Sequence, residues 1–422
     1  MNIIFVHPNF PAQFRHLAKH LGGTQGNRVI FLTANPRPEW KIPGVEKLIF
    51  REPDSTDPGQ NMDPGEADAR MRHKRGQAVA ALLMGLKKKG FKPDLMIGHS
   101  GWGATLYLKD IFPHTPFLGY FEWYYDAEKP NATFGRKSPP SAKSRMDFRN
   151  RSMSILSDLA ACDMGLCPTL WQKAQFPKAF HHKLMVVHDG IDTDVFKPAE
   201  NKNQKLNLPG LNLPPTGPGD RDIELVTYTT RGFEPYRGFP QFVEAIPDIL
   251  DKRPRAHIVL VGEDRVCYGP RPPKGRTFKT IMEKRVTLDP SRVHFLDPLP
   301  YGEYRRLLQA SQVHVYLTVP FVLSWSMLEA MATGCLVAAS DTPPVREVIR
   351  DGYNGILTDF FSPADIAQKV CACLEYPSFM ESIKQKARQT VLEKYDLRLT
   401  LARQMELVQQ LSAAPAHGRR FG

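Results

Sequence analysis

The feature that most constrains this chain is an alternation that runs, stops and restarts. Short apolar runs appear at NIIFV (2–6), RVIFLTA (28–34), PDLMIGH (93–99), TPFLGYF (115–121) and KLMVVH (183–188). Stretches with helical spacing, such as FRHLAKHL and SILSDLAAC, lie between them. Continuous apolar runs of this length, bounded by turn residues, read as strands buried on both faces of a parallel sheet with crossover helices. The pattern breaks at KPAENKNQKLNLPGLNLPPTGPGDRD (197–222), where Pro, Gly and Asn dominate and no period is visible. It then restarts with IELVTYTT, AHIVLVGE, RVHFLDP, QVHVYLTV, LVAAS and GILTD. The helical patterns FPQFVEAIPDIL, YGEYRRLLQA, SMLEAMATG, PVREVIRDG and SPADIAQKVCACLEY intervene. Two βα arrays of similar size predict an α/β chain of two doubly wound domains facing a central cleft, with ligands at the carboxyl ends of the strands. The expected boundaries are 1–198 for the first domain, 199–222 for a linker and 223–394 for the second domain. A final helix at about 395–411 is expected to pack back on the first domain.

Composition removes the other classes. In 422 residues no run approaches the roughly 18 apolar residues of a spanning helix. The opening MNIIFVHPNF does not read as a signal peptide. The six cysteines, Cys162, Cys167, Cys267, Cys335, Cys371 and Cys373, include no CxxC pair and are expected to be reduced thiols in a cytoplasmic protein. Net charge is +12, and residues 1–198 hold 27 basic against 19 acidic side chains. The densest clusters are RMRHKR (70–75), KKKGFK (87–92) and RKSPPSAKSRMDFRNR (136–151), the last partly in a segment, 130–150, read as a mobile loop. Such a field suits phosphate-bearing ligands or an anionic membrane surface. No recognition helix or RNP-like motif accompanies it, so nucleic acid is not expected as a partner.

Two segments carry chemistry on their own residues. PFVLSWSMLEAMATG (320–334) runs from a strand through a loop into a helix, and Ser326 and Glu329 have the S-x-x-E spacing of a capping box. The same spacing leaves two readings open for Glu329: a cap of its own helix, or an acceptor for ribose hydroxyls. The free N–H groups at the helix start suit a phosphate. TTRGFEPYRGFPQF (229–242) sets Arg231 and Arg237 at a strand's carboxyl end, with Gly232 and Gly238 permitting tight turns. Paired guanidiniums suit a diphosphate. VGEDRVCYGP (261–270), with Gly262, lies at the next strand end.

These segments resemble the family 4 glycosyltransferases, retaining nucleotide-sugar enzymes of the GT-B fold with two Rossmann-like domains. LEAMATGCLVAASDTPPVREVIRDGYNGILT resembles the core of the family's donor domain. VVHDGIDTDVFKP (186–198) and LCPTLWQK resemble the end of its N-terminal domain. The resemblance implies that Glu329 binds the donor's ribose. It implies that Arg231 and Arg237 neutralise the departing diphosphate, with Arg237→Ala expected to abolish transfer and leave the fold intact. Backbone groups at Leu323, Ser324, Trp325 and Ser326 would hold the sugar or distal phosphate, and Gly232 and Gly262 would line the donor site. A second family glutamate, eight positions before Glu329, is replaced by Phe321. On the N-terminal side HPNFPAQF (7–14) occupies the acceptor loop. His99 and Glu122 take catalytic positions, and Tyr120, Trp123 and Tyr124 are expected to stack on sugar rings. Asp192–Thr193–Asp194 spells a DxD metal motif of another fold, but it sits inside the resembling segment, so no metal and no cofactor is expected. The implied activity is transfer of a sugar, with retention, to a saccharide or lipid-linked acceptor in polysaccharide or glycoconjugate synthesis at the cytoplasmic face of a membrane. A non-catalytic nucleotide-sugar binder, or an epimerase or hydrolase of the same fold, is the alternative.

Overall fold

The structure is a computed structural model that describes residues 1–52, 64–200, 206–211, 213 and 223–413. It divides into two compact units, one of Met1–Gly190 with the chain from Arg398 onward, the other of Ile191–Leu397.

The first unit is built on seven parallel strands: β1 (Asn2–Val6), β2 (Arg28–Thr33), β3 (Val45–Ile49), β4 (Leu95–His99), β5 (Phe117–Tyr120), β6 (Met164–Cys167) and β7 (Leu184–Val186). Their order is β3-β2-β1-β4-β5-β6-β7, so the chain winds outward from β1 in both directions. The apolar runs are continuous because both sheet faces are covered. Ile4, Val6, Ile30, Leu32 and Met96 face one core, while Ile3, Phe5, Val29, Phe31 and Leu95 face the other. The helix Leu397–Ala413 closes the second face by burying Leu407, Val408 and Leu411 against Ile3 and Phe5. The helix Ala142–Ala161 covers the first. Its carbonyl end is satisfied by a buried cation: Lys183 Nζ donates to the carbonyls of Leu159 (3.2 Å), Ala160 (3.2 Å) and Cys162 (3.0 Å). That helix also corrects the reading of 130–150 as a mobile loop. From Ala142 the basic segment is helical, capped by the Ser141 hydroxyl on the Ser144 N–H at 3.1 Å.

The second unit has six parallel strands: β8 (Glu224–Gly232), β9 (Ala256–Glu263), β10 (Val293–Leu296), β11 (Val313–Tyr316), β12 (Leu336–Ser340) and β13 (Ile356–Thr358). Their order is β10-β9-β8-β11-β12-β13. The first unit ends at Gly190 rather than at 198. Ile191 and Phe196 are buried against Met327, Leu328 and Met331, and so they belong to the second unit's core. Much of the predicted linker lies outside the described residues. Leu208 and Leu211 within it are buried against Leu225 and Val259. All six cysteines are free; five are buried, and Cys267 is half-buried.

Candidate functional site

In the second unit the predicted residues gather at the carboxyl ends of β8 and β11, where a doubly wound sheet reverses strand order. Arg231 is exposed near the end of β8, beside a register shift between Thr229 and Gly232. Arg237 lies in a 3-10 turn (Pro235–Arg237) and is only 7% exposed. Its Nη1 donates to Thr318 Oγ1 (2.8 Å), the Val322 carbonyl (3.1 Å) and Tyr316 Oη (3.4 Å). Burial works against the charge, but the Tyr316 and Tyr268 hydroxyls and Glu234 outweigh it and hold the guanidinium's pKa above its usual value. The glycines have different reasons. Gly238 sits at φ 66° with Leu317 Cβ 2.4 Å from where a Cβ would stand, so both conformation and space demand glycine. Gly232 has no positive φ; a Cβ there would lie 2.4 Å from the Arg265 carbonyl, so it serves close packing of loops rather than a turn.

The helix Trp325–Ala332 starts two positions earlier than the capping-box reading places it. Its N-cap is Ser324, whose hydroxyl takes the Ser326 N–H at 3.4 Å. Glu329 does not cap. It is 5% exposed, and its carboxylate accepts Tyr301 Oη (2.6 Å) and Tyr304 Oη (2.9 Å) from the neighbouring helix Tyr301–Ala310. Burial, and then the Glu329 charge, push the Tyr304 phenol well above its usual pKa. Glu329 is therefore a buried carboxylate held by hydroxyl donors, one of them the half-exposed Tyr301. The Ser324 N–H is engaged by Tyr316 Oη at 2.8 Å, and Leu323 is buried. Phe321 packs on Tyr236 (5.6 Å) and Tyr268 (5.4 Å), an aromatic wall where a carboxylate was the resemblance's expectation. Gly262 packs closely on β8, since a Cβ would meet the Thr230 carbonyl at 2.8 Å.

In the first unit the ends of β1, β4 and β5 bring together His7, His99 and Glu122. His99 is 3% exposed, with its Nε2 3.5 Å from Glu122 Oε2. Its ring meets His7 edge-on at 4.8 Å. The backbone N–H of Asn9 donates to His7 Nδ1 at 2.8 Å. Gln13, in the 7–14 loop, donates to Glu122 Oε1 at 3.1 Å, and Gln172 fixes the Glu122 carbonyl at 2.7 Å. Beneath them Asp158, buried, accepts Ser100 Oγ (2.7 Å) and Thr105 Oγ1 (2.6 Å), and burial pushes its carboxyl up to about 6. Two of the predicted stacking rings do not serve. Tyr120 is 3% exposed and donates to Asp189 at 2.9 Å, and Trp123 is 6% exposed. The exposed ring beside His99 is Trp102, at 6.3 Å, in a loop the sequence reading passed over. Asp192 Oδ1 accepts the N–H groups of Asp194 (3.2 Å) and Val195 (3.1 Å), so the DxD run shapes a turn.

Residues 25–196 match the Glycosyl transferase family 4 group, and residues 221–390 match Glycosyl transferases group 1. The chain belongs to the family 4 glycosyltransferases. It is 23% identical over 194 residues to a D-inositol 3-phosphate glycosyltransferase of Corynebacterium efficiens, covering 46% of this chain and 43% of that protein. It is 27% identical over 161 residues to the putative glycosyltransferase EpsD of Bacillus subtilis, covering 37% of this chain and 38% of that protein. These matches span less than half the length of the curated relatives. Among solved structures, HepE of Anabaena in complex with UDP has a TM-score of 0.69 at 15% identity, covering 97% of this chain and 100% of that chain. Sucrose-phosphate synthase of Thermosynechococcus elongatus has a TM-score of 0.72 at 17% identity, covering 98% and 100%. This family 4 glycosyltransferase thus has the GT-B fold of two doubly wound domains.

Proposed function

We propose that this family 4 glycosyltransferase moves a sugar from a nucleotide-sugar donor held by the second unit to an acceptor hydroxyl held by the first. The observation that carries the reading is the pair Arg231 and Arg237 at and just after the end of β8, with the buried carboxylate of Glu329 in the helix that follows β11. Solved neighbours in complex with UDP and with UDP-glucose support a nucleotide-sugar donor. Glu329 takes the ribose hydroxyls in exchange for the Tyr301 hydroxyl, whose exposed side can return to water. Arg231, Arg237 and the start of the Trp325–Ala332 helix balance the diphosphate as the bond from the anomeric carbon to it breaks, with no metal. The acceptor oxygen bonds to the same carbon from the same face, and its proton passes to the departing phosphate oxygen, so configuration is retained. His99 and Glu122, flanked by the exposed Trp102, orient a saccharide or lipid-linked acceptor.

A lipid-linked acceptor in polysaccharide or glycoconjugate synthesis accords with the Ala142–Ala161 helix. It exposes Lys143, Arg145 and Arg149 beside Met146 (66% exposed) and Met153 (55% exposed), a face suited to peripheral docking on an anionic membrane from the cytoplasm. Among the described residues no helix is long and apolar enough to cross a membrane. Sedimentation with vesicles checks the docking. Binding indifferent to salt and to anionic lipid refutes it.

The donor reading is tested by thermal unfolding against UDP-, GDP-, ADP- and dTDP-sugars. A ligand specific to the native state adds about 2.7 kcal/mol at 100 times its dissociation constant. A shift for one nucleotide, reduced in Glu329→Ala, supports the reading, and no shift from any of them refutes it. Turnover of the donor with no acceptor present identifies an epimerase or hydrolase instead, and binding without turnover across acceptors identifies a non-catalytic binder.

A further inference from the structure

The loop after β9 is fastened to the segment after β8 by a contact that the roles above do not use. Glu234 is fully buried, and its Oε2 accepts three consecutive backbone N–H groups, those of Cys267 (3.1 Å), Tyr268 (2.9 Å) and Gly269 (3.0 Å). Successive amides converging on one oxygen form an anion-binding nest, here filled by the chain's own carboxylate. The seam is tight on both sides. A Cβ on Gly232 would lie 2.4 Å from the Arg265 carbonyl, and one on Gly269 would lie 3.0 Å from the Tyr236 ring.

What the seam delivers is Tyr268. Its ring stands 5.3 Å from the Arg237 guanidinium carbon, a cation–π distance, and its hydroxyl accepts from Arg231 Nη1 at 3.3 Å. One side chain, 39% exposed, therefore touches both cations of the pair. A phenol that accepts from Arg231 still has its own proton to donate, and among the described residues no acceptor takes it. A hydroxyl donor set between two guanidiniums, at the carboxyl end of the sheet, matches an anion with several oxygens better than any neutral ligand.

We propose that Tyr268 is a third ligand of the donor's diphosphate. Its O–H donates to a phosphate oxygen while Arg231 and Arg237 supply the charge, and Glu234 is the positioning residue that holds the loop in place. The proposal rests on the nucleotide-sugar reading and adds to it the group that reads the phosphates without carrying charge. No proton leaves the phenol and no bond is made, so the contribution is to affinity.

Calorimetric titration of the full chain with UDP, GDP, ADP and dTDP tests it, followed by Tyr268→Phe, Glu234→Gln and the double variant with the diphosphate that the wild type binds. Tyr268→Phe is expected to weaken binding about tenfold, the size of one hydrogen bond to a charged group, with an unchanged unfolding temperature because the side chain is partly exposed. Glu234→Gln is expected to weaken binding less, and to add little in the double variant, because its main path to the ligand runs through Tyr268; Arg237 keeps its charge beside the Tyr316 hydroxyl. Equal affinity in Tyr268→Phe overturns the inference and leaves the donor reading standing. Additive losses in the double variant overturn the positioning role of Glu234. Failure of the wild type to bind any of the four diphosphates overturns both the inference and the donor reading.

Discussion

The two arginines at the end of β8 invite the same mutation, and the structure says that it will not do the same thing. Arg231 is exposed, so Arg231→Ala should leave stability within about 0.5 kcal/mol of wild type. Arg237 is 7% exposed and satisfies the Val322 carbonyl at 3.1 Å and Thr318 at 2.8 Å. Truncation to Ala takes the donor from the buried Thr318 hydroxyl and the half-buried Val322 carbonyl, at about 1–3 kcal/mol, and empties the volume of the buried stem. A total near 3 kcal/mol lowers the unfolding temperature by about 6–12 °C for a unit of this size. The expectation that Arg237→Ala spares the fold is therefore replaced: lost turnover in that variant confounds folding with chemistry. The informative pair is Arg231→Ala with Arg237→Lys, which keeps the charge and one or two of the hydrogen bonds. Loss of one preorganised cation at the leaving diphosphate costs about 10²–10³ in kcat. Arg231→Ala should show that loss in an assay of nucleotide release at saturating donor, with a wild-type unfolding curve. Arg231→Ala turning over within threefold of wild type refutes its role. An Arg237→Ala chain that unfolds at the wild-type temperature refutes the burial argument.

Glu329→Ala should leave the Tyr304 hydroxyl buried without its acceptor, at about 1–3 kcal/mol. It should also reduce nucleotide affinity about a hundredfold or more, read by calorimetry; unchanged affinity would remove Glu329 from the donor site. Asp158 has a folded pKa of about 6, above its unfolded value of 3.8, so the native state binds its proton more tightly. Its contribution is therefore without cost below pH 4, erodes as pH rises from about 4 to 6, and leaves a deficit of about 3 kcal/mol at pH 7. Urea unfolding of Asp158→Asn across that window should lack the wild-type slope, and identical slopes would refute the assignment. Lys183→Met removes the donor that caps three carbonyls and should cost about 1–3 kcal/mol in denaturant melts, with nucleotide affinity unchanged.

What the sequence could yield follows from where each signal is stored. Central strands such as NIIFV and LMIGH were legible because both faces are buried and the apolar run is unbroken. β3, VEKLI, escaped because it is an edge strand with alternating polar positions and little burial. Ile191 and Phe196 were assigned to the wrong unit, since a motif read as one segment carries no record of which core its apolar residues enter. The site divides in the same way. Arg231, Arg237 and Glu329 could be found because a strand end, a glycine and a helix start are local in sequence. Their surroundings could not. Arg237 is set by Tyr316 and Thr318, about eighty residues downstream. Glu329 is set by Tyr301 and Tyr304, whose i, i+3 spacing does place both hydroxyls on one helix face and was a signal available to be read. The capping box failed for a related reason: S-x-x-E fits a cap at Ser326, yet Ser324 offers its own hydroxyl two residues earlier, which frees Glu329 to turn toward the tyrosines. Local pattern thus named the charged groups, while burial and long-range hydroxyl partners decide which of them tolerate replacement and which are held in place for a ligand.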